Sequence, residues 1–147
     1  MTRKFIPQMQ PDFGKEEQLA VSTYLSNDVF ITEFKETQIL EKMIEEFTGI
    51  RNVIMTVNGT IALSLAGLSV GIGTGDEVIV PNFTMIASAN AFKMIGATIV
   101  LVDVEPKSLY LDPSLILNAI SEKTKAIVLV NANGRYPSYD LRKIRKI

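Results

Sequence analysis

Apolar residues recur with helical spacing in the first third of the chain. Between residues 15 and 25 they are interspersed among polar ones, and between residues 34 and 47 they return every three or four positions. That spacing places apolar side chains on one face of a helix. The pattern predicts two amphipathic helices separated by a polar loop. The second is expected to begin at Thr32 or Glu33 and to end at Thr48–Gly49.

From residue 53 onward the pattern changes to short apolar runs, rich in β-branched residues, that alternate with helix-like segments. Such runs are typical of strands buried on both faces of a parallel sheet. The predicted strands are 53–57, 77–80, 99–102 and 126–130. The predicted helices are 60–68, 85–94, 113–120 and 138–147. This alternation predicts an α/β fold, with a mostly parallel sheet and flanking helices.

The change of pattern also predicts two domains. We expect an N-terminal helical segment at residues 1–50 and an α/β domain at residues 51–147. No Gly or Pro ends the last predicted helix, and the strand before it would lie at a sheet edge. We therefore expect the α/β domain to be truncated at its C-terminus.

Composition narrows the classes of function. The chain is 47% hydrophobic and 21% charged, with a net charge of -1, so it has no positive field to attract nucleic acid or an anionic membrane. It lacks both cysteine and histidine, which excludes thiolate and imidazole metal sites and serine-histidine catalysis. No membrane-length apolar run and no secretory signal are present. We expect a cytoplasmic protein that binds no metal.

The bend Asn58–Gly59–Thr60, between a predicted strand and a predicted helix, carries the strongest local signal. The first amides of a helix lack partners within it, and the helix dipole is positive there, which favours an anion such as phosphate. Asn and Gly permit a tight backbone, and Thr60 can add its hydroxyl. The same residues also form ordinary turns, so local chemistry leaves both interpretations open.

The glycine loop Gly71–Gly75 invites a second interpretation, nucleotide binding. A dinucleotide fingerprint needs glycines after a strand and at the start of a helix. Here they follow a predicted helix and precede a predicted strand. A helix terminator and connecting turn is therefore favoured, and a generic nucleotide-binding domain remains the weaker alternative.

Polar residues also follow two predicted strands. Thr84 lies at the sheet end where ligands bind in open parallel sheets, but a cap for the next helix is the favoured role. Asp103 and Glu105 could form an acid/base or metal pair, whereas the adjacent Pro106 favours a solvated turn.

A collinear series of short phrases resembles the DegT/StrS family of sugar aminotransferases that depend on pyridoxal phosphate (PLP), including perosamine synthases. The resemblance runs from about Phe30 to the end of the chain. The phrases are Asn58-Gly59-Thr60 with Ala62-Leu63, Gly71-Ile72-Gly73, Gly75 to Pro81, Thr84 with Ala87 and Ala89-Asn90-Ala91, Gly96-Ala97, Val102-Asp103-Val104 and Thr124 to Ile127. A set of phrases in fixed order identifies a family more specifically than any one of the phrases does. It implies the N-terminal half of a fold type I aminotransferase large domain.

The resemblance implies PLP as cofactor of the full-length enzyme, bound weakly or not at all by this chain alone. Asn58, Gly59 and Thr60 would hold its phosphate, in agreement with the electrostatics of a helix start. Met85 matches a position that commonly carries an aromatic ring stacked on the pyridine ring, and a thioether can cover an aromatic face. Asn131 and Asn133 lie in a segment that is His-rich in many members, so no role is carried over to them.

No catalytic residue is assigned. In the family a later Asp pairs with the pyridine nitrogen and a still later Lys forms the Schiff base, and neither can be matched here. The resemblance implies a fragment of an enzyme of polysaccharide biosynthesis that moves an amino group from glutamate to a keto-sugar nucleotide, inactive by itself. The expected partners are the nucleotide sugar, the amino donor and a second copy in a homodimer. The alternative is a non-catalytic structural or dimerising module.

Overall fold

A computed structural model describes residues 5–7, 9–27, 30, 35–137 and 139–146 of the 147-residue chain. The chain forms two units, Met1–Met55 and Thr56–Ile147. Their boundary lies a few residues beyond the change of pattern near residue 50. The assignment of 1–50 and 51–147 to separate functional domains stays a prediction.

The first unit contains the two predicted helices, α1 (Lys15–Ser26) and α2 (Lys35–Thr48). Helix α2 ends as predicted, because Gly49 takes a positive φ of 73° and donates its N–H to the Glu45 carbonyl at 2.8 Å. Its expected start at Thr32 or Glu33 lies outside the described residues. Within the described chain, no residue of either helix is buried.

The predicted strand at residues 53–57 is wrong. Val53 N–H donates to Glu45 Oε1 at 3.1 Å, and Met55 N–H donates to Glu41 Oε1 at 2.7 Å. Carboxylates of α2 thus take the place of strand carbonyls, and among the described residues no strand pairs with this segment. Apolar and β-branched residues favour strands because their side chains pack well on a half-buried sheet. Where no neighbouring strand is present to pair with, the same residues do not form a strand.

The second unit contains the rest of the regular structure. In chain order its elements are α3 (Gly59–Ser69), β1 (Glu77–Pro81), α4 (Ala87–Met94), β2 (Thr98–Val102), α5 (Pro113–Ala119) and β3 (Thr124–Ile127). The prediction placed all of these elements, with errors at their ends. Helix α4 begins two residues later than predicted, and β3 ends three residues earlier.

The sheet has three parallel strands in the order β2-β1-β3 among the described residues. Its central strand β1 places Val78, Ile79 and Val80 at 0% exposure. Val78 and Val80 belong to the apolar cluster that includes Ala91 and Phe92 of α4, and Ile79 belongs to a second cluster with Ile116 of α5. Alternate side chains of β1 therefore serve two separate cores, which confirms the α/β fold with flanking helices.

Two predicted turn features are confirmed. Asp112 caps α5, since its Oδ1 accepts the Ser114 N–H at 2.9 Å and Pro113 occupies the first helical turn. Gly71, at φ 78°, ends α3, and Ile72 N–H donates to the Gly67 carbonyl at 3.0 Å. The glycine loop is a helix terminator, as the favoured interpretation held.

The helix predicted at 138–147 is corrected to a 3-10 helix at Leu141–Lys146. Residues Ser138 and Ile147 lie outside the described residues. Leu141 and Ile144 are three residues apart, a spacing that suits a 3-10 helix and an α-helix alike. Periodicity therefore could not distinguish the two types of helix. Ile144 is buried in the same cluster as Ile79. Nearby, the Tyr139 hydroxyl donates to the Leu111 carbonyl at 2.5 Å.

Candidate functional site

The bend before α3 leaves two backbone amides free. Asn58 is the N-cap, and its Oδ1 accepts the Ile61 N–H at 3.0 Å, while the Asn58 carbonyl accepts the Ala62 N–H at 3.1 Å. Within the described part of the chain, nothing accepts the N–H groups of Gly59 and Thr60 or bonds the Thr60 hydroxyl. Three donors therefore remain at the positive end of the helix.

The bend is open to solvent rather than sealed. Asn58 and Gly59 are exposed, and Thr60 is half-buried. A Cβ added at Gly59 would meet no atom within 4 Å. The space around the free amides is therefore sufficient for an anion to approach them, which is the property the sequence prediction required.

Helices α3 and α4 run in the same direction and begin at the same end of the unit. The Ser64 hydroxyl donates to the Ala91 carbonyl at 2.7 Å, and one turn later Gly67 faces Phe92 and Ile95. The contacts advance in the same direction along both helices, so the helices are parallel. Because α4 follows β1, the start of α3 lies at the carboxyl end of the sheet, where ligands bind in folds of this class.

A cavity of about 440 Å³ lies at that carboxyl end. It is lined by residues that follow β1 and by residues beyond β3. The apolar lining residues are Phe83, Met85, Val130 and Ala132, and the polar ones are Asn82, Thr84, Ser88, Asn131 and Asn133. Among the residues that the structure describes, none of those lining the cavity is charged. The volume lies within the range of small-molecule sites.

Three of the polar lining residues are already bonded within the chain. Asn82 Nδ2 donates to Asp103 Oδ1 at 3.0 Å, and the Thr84 and Ser88 hydroxyls lie 2.9 Å apart. The favoured role of Thr84 as a helix cap is wrong, because its hydroxyl bonds Ser88 and α4 begins only at Ala87. Thr84 instead lines the cavity, as the alternative interpretation proposed.

Asp103 and Glu105, which follow β2 and could have formed an acid/base or metal pair, bond to different groups. Asp103 Oδ1 accepts the Val104 N–H at 2.8 Å, and Glu105 Oε2 accepts the Ser108 hydroxyl at 2.6 Å. Both carboxylates bond within the turn that follows β2, as the turn interpretation held, and Asp103 also accepts from Asn82. Among the described residues no cluster of acidic side chains has the arrangement of a metal site, and no helix is long and apolar enough to cross a bilayer.

The four predicted cofactor residues fall at two places. Met85 lines the cavity and is 77% exposed, whereas Asn58, Gly59 and Thr60 are at the start of α3 and are not among the cavity residues. Sequence reasoning missed Ser88. The signal was available, since Ser88 lies four residues after Thr84, one helical turn away.

The residues present suit the phosphate and the ring of PLP chemically. The free amides and the Thr60 hydroxyl suit a phosphate, and the uncharged cavity at the same end of the unit suits a neutral ring. The exposed thioether of Met85 can cover such a ring.

Comparison with known proteins places this geometry in a family. A family model described as DegT/DnrJ/EryC1/StrS aminotransferase matches residues 11–147. The UDP-2-acetamido-2-deoxy-3-oxo-D-glucuronate aminotransferase of Pseudomonas aeruginosa is 40% identical over 105 residues, which are 71% of this chain and 29% of that protein. The GDP-perosamine synthase of Caulobacter vibrioides is 44% identical over 111 residues, 76% of this chain and 28% of that protein.

A solved structure agrees over almost the whole chain. A Streptococcus pneumoniae protein assigned as a sugar aminotransferase, in its PMP form, superimposes with a TM-score of 0.88 at 32% identity, covering 97% of this chain and 35% of that one. The predicted fold, part of an aminotransferase domain, is confirmed. The chain spans less than a third of the length of the curated relatives it matches.

Proposed function

The chain belongs to the DegT/DnrJ/EryC1/StrS aminotransferase family, and on that premise we propose that it forms the N-terminal part of the cofactor-binding domain of a PLP-dependent sugar aminotransferase. The whole enzyme transfers an amino group from glutamate to a keto-sugar carried by a nucleotide. The names of the two curated relatives, which contain UDP and GDP, support the class of substrate. The observation that carries the proposal is the open bend at the start of α3, on the same end of the unit as an uncharged cavity.

Each part of the site has a distinct task. The N–H groups of Gly59 and Thr60 and the Thr60 hydroxyl hold the phosphate, and Asn58 keeps the first turn of α3 in shape. Met85 covers one face of the ring. PLP, when bound, supplies the electron sink that amino-group transfer requires. The chain itself contributes binding and orientation.

The cavity lacks a group that could hold the cofactor covalently. In the described part of the chain none of its lining residues is a lysine. We therefore propose that this chain, without further residues, has no transferase activity and binds PLP only weakly.

Self-association is part of the same proposal. Several apolar side chains of the first unit are exposed, among them Leu19 at 68%, Leu25 at 61% and Phe47 at 92%. Exposed apolar surface of this kind is typical of protein–protein contacts. It supports a homodimer, and it also suits the alternative of a dimerising module without catalytic activity. A cytoplasmic location and a role in polysaccharide biosynthesis remain proposals that follow from the family.

Amide NMR during a titration with pyridoxal 5′-phosphate tests the proposal. We expect the resonances of Gly59 and Thr60 to shift with pyridoxal 5′-phosphate, and with inorganic phosphate at higher concentration, but not with pyridoxal, which lacks the phosphate. Pyridoxal 5′-phosphate that leaves both amides unchanged would contradict the proposed site.

A further inference from the structure

The sequence contains two Asn-Gly pairs, Asn58–Gly59 and Asn133–Gly134, and both are exposed to solvent. An asparagine that precedes glycine readily loses ammonia, because glycine has no Cβ to hinder attack by its backbone nitrogen on the carboxamide. Asparagine is among the residues that limit the chemical stability of proteins at high temperature. The fold decides how fast each pair reacts, because it holds the two pairs differently.

The fold holds Asn58 at both its side chain and its backbone. Its Oδ1 accepts the Ile61 N–H at 3.0 Å, and its backbone carbonyl accepts the Ala62 N–H at 3.1 Å and the Thr56 hydroxyl at 2.9 Å. Attack by the Gly59 nitrogen requires the carboxamide and the peptide group to turn toward each other, which would break all three hydrogen bonds. The first turn of α3 therefore protects Asn58.

The fold restrains Asn133 much less. Its carboxamide has no hydrogen-bond partner in the part of the chain that the structure describes. Asn133 lies in a single 3-10 turn, Ala132–Gly134, where the Gly134 N–H donates to the Asn131 carbonyl at 3.0 Å. A Cβ added at Gly134 would meet no atom within 4 Å, so the turn has space in which to move. One exposed hydrogen bond therefore separates the two reacting groups from each other.

The turn has to open before the reaction, because the Gly134 nitrogen first has to leave the Asn131 carbonyl. Opening of a short surface turn with few buried contacts costs little free energy. The backbone of Asn133 also favours opening, since a non-glycine residue at φ 53° and ψ 33° stores strain that opening relieves. Local opening at this turn is therefore easier than loss of the first turn of α3.

We propose that Asn133 is a site of spontaneous deamidation and that Asn58, in the same dipeptide, is protected. The Gly134 nitrogen bonds to Asn133 Cγ, the bond from Cγ to Nδ2 breaks, and the proton of the attacking amide leaves with the ammonia. Water then opens the cyclic imide at either carbonyl, which restores the Gly134 N–H and leaves a carboxylate. The product is aspartate or isoaspartate at position 133. Either product adds a negative charge to a cavity whose described lining residues are uncharged.

Peptide mapping by mass spectrometry tests the proposal on the folded chain during incubation at mildly alkaline pH, which speeds loss of the amide proton. Three hydrogen bonds have to break at Asn58 and one at Asn133. Since each bond slows the reaction roughly 2- to 12-fold, Asn133 is expected to deamidate about 5- to 150-fold faster than Asn58. Asn118, an exposed asparagine that precedes Ala119 in α5, is the matched control without glycine and should react more slowly than Asn133.

Two further measurements isolate the cause. In guanidinium chloride the two pairs are expected to react at similar rates, because only the fold distinguishes them. Asn133→Gly keeps the left-handed backbone and should remove the acidic species that ion-exchange chromatography separates from the unmodified chain. Equal rates in the folded chain, faster reaction at Asn58, or no reaction at Asn133 while the denatured chain reacts would each overturn the proposal. A difference that persists in the denatured chain would overturn it as well.

Discussion

Removal of the Thr60 hydroxyl is the sharpest perturbation of the phosphate site. Thr60→Val keeps the shape of the side chain and the backbone amide, and it breaks no hydrogen bond among the described residues, because the hydroxyl has no partner there. Stability should therefore change by no more than about 0.5 kcal/mol. The substitution removes one of the three free donors at the start of α3.

The expected loss of affinity follows from the charge of the ligand. A hydrogen bond to a charged group contributes about 1.5–3 kcal/mol, and 1.4 kcal/mol corresponds to a factor of ten. Thr60→Val should therefore weaken pyridoxal 5′-phosphate by roughly 10- to 150-fold. Isothermal titration measures the affinity, and Thr98→Val, at an exposed position of β2, is the control. Affinity within twofold of wild type, or an equal loss for pyridoxal, would refute the reasoning.

Three further predictions concern stability and charge. Gly96→Ala should cost about 2–5 kcal/mol in urea unfolding, because a Cβ at φ 94° would lie 2.5 Å from the Thr74 hydroxyl. Burial raises the pKa of Tyr139 from 10.0 to about 12, so the stability that this group contributes below pH 10 should be lost between pH 10 and 12. Burial also raises the pKa of Tyr110, so Tyr139→Phe should reduce the loss in pH-dependent unfolding without removing it. Asn58→Asp should keep the cap and thermal stability yet weaken pyridoxal 5′-phosphate in titration.

The order of elements was predictable because each was marked by its own local pattern. The helix ends show this most clearly. Asp112 caps the start of α5 and Gly71 ends α3, and both roles depend only on residues nearby in sequence. The segment 53–57 failed because a strand needs partners, which no local pattern supplies. Its amides bond instead to carboxylates of α2, one of them 14 residues away in sequence.

The local geometry of the candidate site was predictable to the same extent. The bend at Asn58–Gly59–Thr60 was found because residues adjacent in sequence predict where a helix begins. The free amides then follow from the helix start itself. The cavity was not found, because Met85 and Asn131 come from separate loops that only the sheet brings together.

The described residues that line the cavity are uncharged, and this limits how the proposed site can work. Asp caps a helix as well as Asn does, and its negative charge would interact favourably with the positive end of the helix dipole. The cap of α3 is nevertheless Asn58. A carboxylate there would repel the phosphate that the adjacent amides of Gly59 and Thr60 are positioned to bind. The neutral cap is therefore consistent with the proposed phosphate site, whereas the helix alone would accept Asp equally well. Because none of the described lining residues is charged, affinity in the proposed site would depend on the geometry of a few fixed donors, and the Thr60 hydroxyl is therefore the group to test.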